Sequence, residues 1–418
     1  MLDLHTLLSL KQHAASWVAT HPVGLVLDSN ECQAAFGLKN YELLIAAGVK
    51  DEFRAGENAF QQLDTFRKQN KHEWLFGFLT YDLKNQLEAL ESSHPDGIGF
   101  PGLYFFVPQK LIVIDKNGEC LIGKEWIDEI LQHPEVSGEM PAVSLTQRVA
   151  KQQYIQDVEA IKQHIINGDV YELNYCVEFF ATNVSVQPDQ VYNKLRSKSA
   201  VPFGCFVKCY HQFVIGASPE RFLLKQGNTV YSQPIKGTIK RGNAPEEDEL
   251  FKHNLLHSEK ERAENLMIVD LVRNDLAKSA QTGTVKVEEL FGIYSFPQVH
   301  QMISTVSAML RNDVTLPEVI QHAFPMGSMT GAPKIMAMKL IEQYEKTKRG
   351  LYAGAIGFIT PEGNMDLNVV IRSIQYNAET RYLNFEVGGA ITYDSIAELE
   401  YEECLLKAKA MFEVLGGR

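Results

Sequence analysis

The chain reads as an α+β protein built on largely antiparallel β-sheets. Two observations carry that reading. Strand-like runs follow one another directly, with helical stretches grouped between them rather than alternating strand by strand. Two of those runs, 366–376 and 382–387, face each other as a hairpin across residues 377–380.

In chain order, short strand-like runs at 23–27, 74–79 and 111–114 come first. Residues 133–147 then carry Pro134, Gly138 and Pro141 with few large apolar side chains, and form the best candidate boundary. Beyond it, 154–166 has helical apolar spacing (Ile155, Val158, Ile161, Ile165) and stops at Gly168. Runs at 213–217, 222–225, 230–235 and 299–306 read as strands. A helix over 258–276 opens with an S-x-x-E capping box, Ser258 and Glu261. The last helix opens with a second box, Ser395 and Glu398, and repeats apolar residues at Ile396, Leu399, Leu406 and Ala410.

With 418 residues, 45% hydrophobic and 22% charged, the composition is that of a protein with ample core. A formal charge of −12 argues against nucleic acid or an anionic membrane as partner, since both select a basic face. The first ten residues lack a basic leader, and no apolar run approaches the ~18 residues of a membrane span, so the chain reads as cytoplasmic. Six scattered cysteines show no metal-ligand spacing and read as buried, reduced thiols.

The sharpest chemical signal is carboxylates on apolar faces. Position 403 completes the 3-4 spacing of the last helix and is glutamate, with Glu400 one turn before it. On 258–276, Glu264 stands on the stripe of Met267, Ile268 and Leu271, one turn after Glu261. An ionised carboxylate is costly to bury unless it is paired or binds a metal, and all-oxygen ligation favours Mg²⁺ over zinc. Pairing with internal Lys or Arg, or an exposed helix edge, accounts for the same pattern.

Other residues stand out less. Gly327-Ser328-Met329-Thr330-Gly331-Ala332-Pro333-Lys334 feeds an apolar helix and is no P-loop, because Pro333 stands where the lysine would be. Its free backbone amides suit a carboxylate, though an ordinary turn suits them too. Arg372 interrupts the β-forming run 369–374, and His300 is a lone histidine on a strand; both have ordinary structural readings. Lys236 sits at a strand-end turn, and making a free lysine neutral at pH 7 costs about 4.6 kcal/mol. Desolvation or a nearby cation would reduce that cost.

Taken together, Ser218-Pro219-Glu220-Arg221-Phe222, Gln233-Pro234-Ile235-Lys236-Gly237-Thr238, Ala263-Glu264-Asn265 and Glu400-Tyr401-Glu402-Glu403 resemble the chorismate-utilising enzymes. The resemblance is dense over 149–411 and thin before 140. It implies two packed antiparallel sheets flanked by helices, integrated over 1–418. In that arrangement 1–140 completes the sandwich, 149–414 forms the catalytic core, and 134–141 is a surface loop. It implies Mg²⁺ on Glu264 and Glu403, with Glu261 and Glu400 close by. It also implies Arg372 and Tyr352 on the enolpyruvyl carboxylate, and Gly237 and Thr238 on the ring carboxylate. Gly327, Thr330, Gly388, Gly389, Ala390 and Lys407 complete the expected substrate-binding set, with Ala390 where relatives often have glycine. His300 is expected to support the reacting ring.

Lys236 selects the branch of the family that aminates chorismate at C4 toward 4-aminobenzoate and folate. On that reading Lys236 attacks C2 while Glu220, as general acid, protonates the departing 4-hydroxyl. Ammonia, delivered by a separate glutamine amidotransferase subunit, then displaces the lysine. The anthranilate branch carries a small residue at this position. The isochorismate branch uses a base lysine that aligns with Glu172, a position where the amination branches commonly have glutamine. A non-catalytic sensor of aromatic metabolites is the remaining alternative, and the intact set Glu220, Lys236, Glu264, Arg372 and Glu403 argues against it.

Overall fold

The computed structural model describes residues 2–32, 35–38, 41–134, 138 and 140–416, so part of the 133–147 segment lies outside the described residues. Helix α1 (Leu4–Ala19), capped by Asp3, leads into β1 (Val23–Asp28), β2 (Tyr41–Ala47) and β3 (Asp51–Arg54). After α2 (Ala59–Gln69) come β4 (Leu75–Leu79), β5 (Leu103–Val107), β6 (Lys110–Asp115), β7 (Cys120–Ile122) and the short α3 (Ile127–Leu131). Strand β8 (Thr146–Gln147), α4 (Lys151–Ile166), β9 (Glu172–Ala181) and α5 (Pro188–Lys198) follow. Then five strands run in series: β10 (Phe203–Cys209), β11 (Gln212–Ser218), β12 (Arg221–Gln226), β13 (Thr229–Gln233) and β14 (Ile235–Lys240).

Helices α6 (Pro245–His257) and α7 (Glu259–Ala277) separate that series from β15 (Lys286–Ser295) and β16 (Val299–Met309). The remainder is α8 (Leu316–Ala323), β17 (Gly331–Ala332), α9 (Lys334–Tyr344), β18 (Ala355–Ile359), β19 (Met365–Val369), β20 (Ser373–Asn377), β21 (Tyr382–Ile391) and α10 (Ala397–Val414). Among the described residues no helix is long and apolar enough to cross a membrane.

The strands form two antiparallel sheets. One runs β17-β9-β21-β20-β11-β10-β1-β2-β6-β7 with β8 beside β9; the other runs β14-β16-β13-β12-β19-β18-β4-β5-β3 with β15 beside β16. They pack face to face through Val23, Leu25, Leu44 and Val207 against Phe76, Phe78, Phe106 and Ile356. Helices α1, α4, α5 and α10 cover the outer face of the first sheet, and α2, α7 and α8 that of the second. The expected two-sheet α+β sandwich is what the chain forms.

Two expectations need correction. The run 366–376 is not one strand: β19 belongs to the second sheet and β20 to the first. The chain crosses between them at 370–372, where Arg372 takes φ +51°. The hairpin proper is β20 with β21, registered Asn377↔Tyr382. The second correction concerns α10. It starts at Ala397, and the Ser395 hydroxyl donates to Glu400 Oε1 (2.8 Å) instead of capping the helix. Its buried face is Ala397, Glu400, Tyr401, Cys404, Ala408 and Met411. Ile396, Leu399 and Leu406 are 55%, 62% and 70% exposed, and Glu403 stands on their side of the helix. Small residues at 397, 404 and 408 let α10 lie close on β21, so the bulkier stripe faces outward.

Candidate active site

Lys236 lies on β14 rather than at a turn. The β14–β16 register runs Ile235↔Ile303 and then Thr238↔Gln301, so a bulge holds Lys236 and Gly237. Gly237 takes φ +92°, and a Cβ there would stand 2.9 Å from Glu261 Oε2. The bulge turns the Lys236 side chain inward, where Nζ donates to Glu172 Oε1 at 2.5 Å. Burial works to lower its proton affinity, but Glu172, then Glu264 and Glu220, hold it above the ordinary lysine value. Burial alone therefore does not lower it here: the surrounding carboxylates favour the ammonium form.

Glu220 sits where β11 turns into β12. Its carbonyl accepts from Val369 N–H, and its Oε1 accepts from the Ser328 hydroxyl at 2.5 Å. Burial pushes its carboxyl up to about 7, against the opposing pull of Ser328 and Lys236. A carboxylic acid that still holds its proton near neutrality is suited to general acid work. The Arg372 backbone runs nearby: its carbonyl accepts from Ala217 N–H, and Val369, whose N–H reaches the Glu220 carbonyl, is three residues earlier. Burial lowers the proton affinity of its guanidinium, which has no ion-pair partner among the described residues. Sheltered positive charge without an internal partner is what a bound carboxylate would use.

The opposite wall is acidic. Glu264 on α7 is pushed up to about 7 by burial, reinforced by Glu172 and Glu261 and opposed by Lys236. Burial and the Glu403 carboxylate outweigh Lys260 and raise Glu261. On α10, partial desolvation works to raise the half-exposed Glu403, but its pair with Lys407 (2.7 Å) holds it below the ordinary range. A Cβ on Gly389 would stand 3.4 Å from Glu400 Oε2 and 4.0 Å from Glu403 Oε1. Among the described residues no three such side chains converge closely enough to hold a metal ion as they stand. The donor set nevertheless fits Mg²⁺: oxygen ligands only, with mutual repulsion and raised proton affinity at Glu264 and Glu261 that a divalent cation would relieve.

The remaining expected residues are placed as follows. Gly388, Gly389 and Ala390 pair with Cys176, Tyr175 and Asn174 of β9, and the Gly388 carbonyl accepts from Lys407 Nζ (2.9 Å). Tyr352 is buried with its hydroxyl on Cys176 Sγ at 3.7 Å. Thr330 is fully buried, its hydroxyl turned onto the carbonyls of Met326 and Gly327. Gly327 packs under Leu271 of α7, and Thr238 is exposed beyond the bulge. His300 is fully buried on β16, its imidazole held between Ser295 (2.8 Å) and Asp248 (2.9 Å), and it touches neither Lys236 nor Glu220.

The sequence reading gave no role to three residues that organise the site. Ser328 lies within the 327–334 run, but nothing local marks it as the partner of Glu220. Glu172 stands out in the sequence only as a departure from the glutamine common in the amination branches. Arg349, in contrast, gave no signal at all: its guanidinium binds Glu345 and the carbonyls of Met329 and Asn174, tying the 326–330 loop to β9. Apart from these, a cleft between the sheets is lined by Asp28, Ser29, Glu42, Arg221, Gln233 and Asp366. Its charges are internally matched, Arg221 to Asp366 and Lys11 to Asp28 and Glu42.

Residues 24–413 match the family model described as chorismate binding enzyme. The chain is 33% identical over 406 residues to aminodeoxychorismate synthase component 1 of Bacillus subtilis, covering 90% of this chain and 84% of that one. It is 31% identical to the Escherichia coli protein of the same name (81% and 76% covered) and 34% identical to anthranilate synthase component 1 of Saccharolobus solfataricus (82% and 81%). Among solved structures, anthranilate synthase component I from Streptococcus pneumoniae superimposes with TM-score 0.77 at 26% identity, over 91% of this chain and 93% of that one. The Escherichia coli menaquinone-specific isochorismate synthase, at 16% identity and TM-score 0.76 over 96% and 91%, shares the fold.

Proposed function

The chain belongs to the family of chorismate binding enzymes, and on that premise we propose that it aminates chorismate at C4, giving 4-amino-4-deoxychorismate on the way to 4-aminobenzoate. The observation that carries this reading is Lys236. A buried amine stands 2.5 Å from Glu172, with the carboxyls of Glu220 and Glu264 close enough to act on its charge. Direct attack of ammonia on C2, which yields anthranilate, has no use for such a lysine.

In the proposed reaction Lys236 Nζ forms a bond to C2 while the C4–O bond breaks. Glu220 gives its proton to the departing oxygen, which leaves as water. Its carboxyl at about 7 is matched to that task near neutral pH. Ammonia then bonds to C4, the C2–N bond breaks with its pair returning to Lys236, and the new ammonium returns a proton to Glu220. Arg372, with Tyr352, holds the enolpyruvyl carboxylate, and its unpaired guanidinium supports that assignment. Gly237, Thr238 and the amides at 388–390 face the ring carboxylate. Mg²⁺, held by Glu264 and Glu403 with Glu261 and Glu400 nearby, supplies the positive charge that an otherwise acidic wall lacks for this anion. Ammonia comes from a separate glutamine amidotransferase subunit.

The test is product identity. Chorismate, Mg²⁺ and ammonium at alkaline pH should yield an amino adduct that retains the enolpyruvyl group, seen by mass spectrometry. A lyase should convert that adduct to 4-aminobenzoate. Anthranilate with stoichiometric pyruvate would overturn the C4 reading.

A further inference from the structure

An ammonium ion has no lone pair, so the nucleophile proposed above must first lose a proton. Several groups face Lys236 Nζ: Glu172 from β9, Glu264 and Glu261 from α7, Glu220 from the β11–β12 turn, and Glu403 with Lys407 from α10. Among the described residues only Glu172 lies within ion-pair distance. Glu220 is engaged by Ser328 and must keep its own proton for the leaving oxygen.

Glu172 is 1% exposed, and its second oxygen, Oε2, is buried without a hydrogen-bond donor among the described residues. A carboxylate that spends one oxygen on the amine and leaves the other vacant is under-satisfied for a purely structural anion. Its place is fixed from both sides. Tyr171 N–H donates to the Ala332 carbonyl and Asn174 N–H to that of Thr330. Gly331, at φ +147°, passes so close that a Cβ would stand 2.2 Å from the Glu172 carbonyl oxygen.

We propose that Glu172 is the proton acceptor that converts Lys236 from ammonium to nucleophilic amine. The step is a transfer within one hydrogen bond. The Nζ–H bond breaks, an O–H bond forms at Glu172 Oε1, and the lone pair left on Nζ makes the bond to C2. When the lysine is expelled with its electron pair, the proton returns from Glu172 to Nζ and the pair is reset. Two buried charges become two neutral groups, a change that exclusion of water by bound substrate favours. Glutamine, which the amination branches commonly carry at this position, could not accept the proton, so the step is particular to this chain. The step rests on the amination reading, because only a lysine that attacks carbon needs it.

The experiment uses the full chain with chorismate and Mg²⁺ but no ammonia. It follows adduct formation on Lys236 by intact-protein mass spectrometry from pH 6.5 to 10. In Glu172→Gln, adduct formation should fall at least ~100-fold at pH 7.5 and recover about tenfold per pH unit, as hydroxide replaces the lost acceptor. Glu172→Asp, which keeps a carboxylate, should regain part of the rate and a flatter profile. Competitive acetylation of the free protein should show the Lys236 midpoint falling in Glu172→Gln, a readout that needs no turnover. A Glu172→Gln protein with wild-type adduct rate and pH profile overturns the proposal. A wild-type protein that forms no adduct at any pH overturns the amination reading itself, and this step falls with it.

Discussion

Glu220→Gln should make the protein less active and, above a defined pH, more stable. The carboxyl is 4% exposed and rises from an ordinary 4.5 to about 7 because burial penalises its charge. At about 1.4 kcal/mol per tenfold change in proton affinity, that rise is worth about 3 kcal/mol in favour of the neutral form. The folded state holds the proton more tightly than the unfolded chain. Wild-type stability therefore keeps this contribution below pH 4.5 and loses it as pH rises through 7. Glutamine is neutral at every pH and can still accept from Ser328. Thermal unfolding of Glu220→Gln should match wild type near pH 4.5 and exceed it by a few degrees at pH 8.5. Turnover should drop ~100-fold or more, because an amide cannot protonate a leaving hydroxyl. A stability gain of equal size at both pH values would refute burial as the cause of the shift. An unchanged turnover would remove Glu220 as the acid.

Lys236→Ala should abolish C4 amination and allow ammonia to reach C2, so the expected change is loss of the amino adduct with any residual product appearing as anthranilate; undiminished C4 product would exclude covalent catalysis. Apparent Mg²⁺ affinity by calorimetry should rise from pH 6 to 8, because Glu264 holds a proton up to about 7 that the ion must displace. Glu264→Gln should remove both that pH dependence and turnover. Gly237→Ala places a side chain at φ +92° and 2.9 Å from Glu261 Oε2. It should cost about 1–2 kcal/mol in chemical denaturation and weaken Mg²⁺ dependence, whereas Gly227→Ala, whose Cβ meets nothing, should leave that dependence intact.

Local pattern carried the fold further than the site. Helix α4 follows from its periodicity, and β11 and β12 from short β-forming runs; β11 is buried on both faces, so it shows a continuous apolar run rather than an alternation. Helix α10 shows where periodicity stops. It has two stripes, and the larger apolar residues mark the exposed one, since close packing on β21 selects Ala397, Cys404 and Ala408. The break at 370–372 was hidden because both halves are β-forming; only the pairing of β19 and β20 into different sheets reveals it. At the site, residue types were legible as candidates, but Glu172 with Lys236 and Ser328 with Glu220 join positions 64 and 108 apart. No local spacing encodes such pairs.

The interleaving of early and late strands also sets a schedule for biosynthesis. Leu79 on β4 pairs with Ala355 on β18, and Val23 on β1 with Cys209 on β10. At ribosomal speeds of about 5–20 residues per second, β4 waits roughly 15 to 55 s for its partner to be made. During that interval the β4 edge that β18 will cover has no hydrogen-bonding partner, although Val23, Leu25 and Leu44 of the earlier strands are already present for Phe76 and Phe78 to pack on. Nascent chains therefore present an unpaired strand edge to solvent or to chaperones. Yield on overexpression should respond to slower translation or added holdase more than to substitutions that stabilise the finished sandwich.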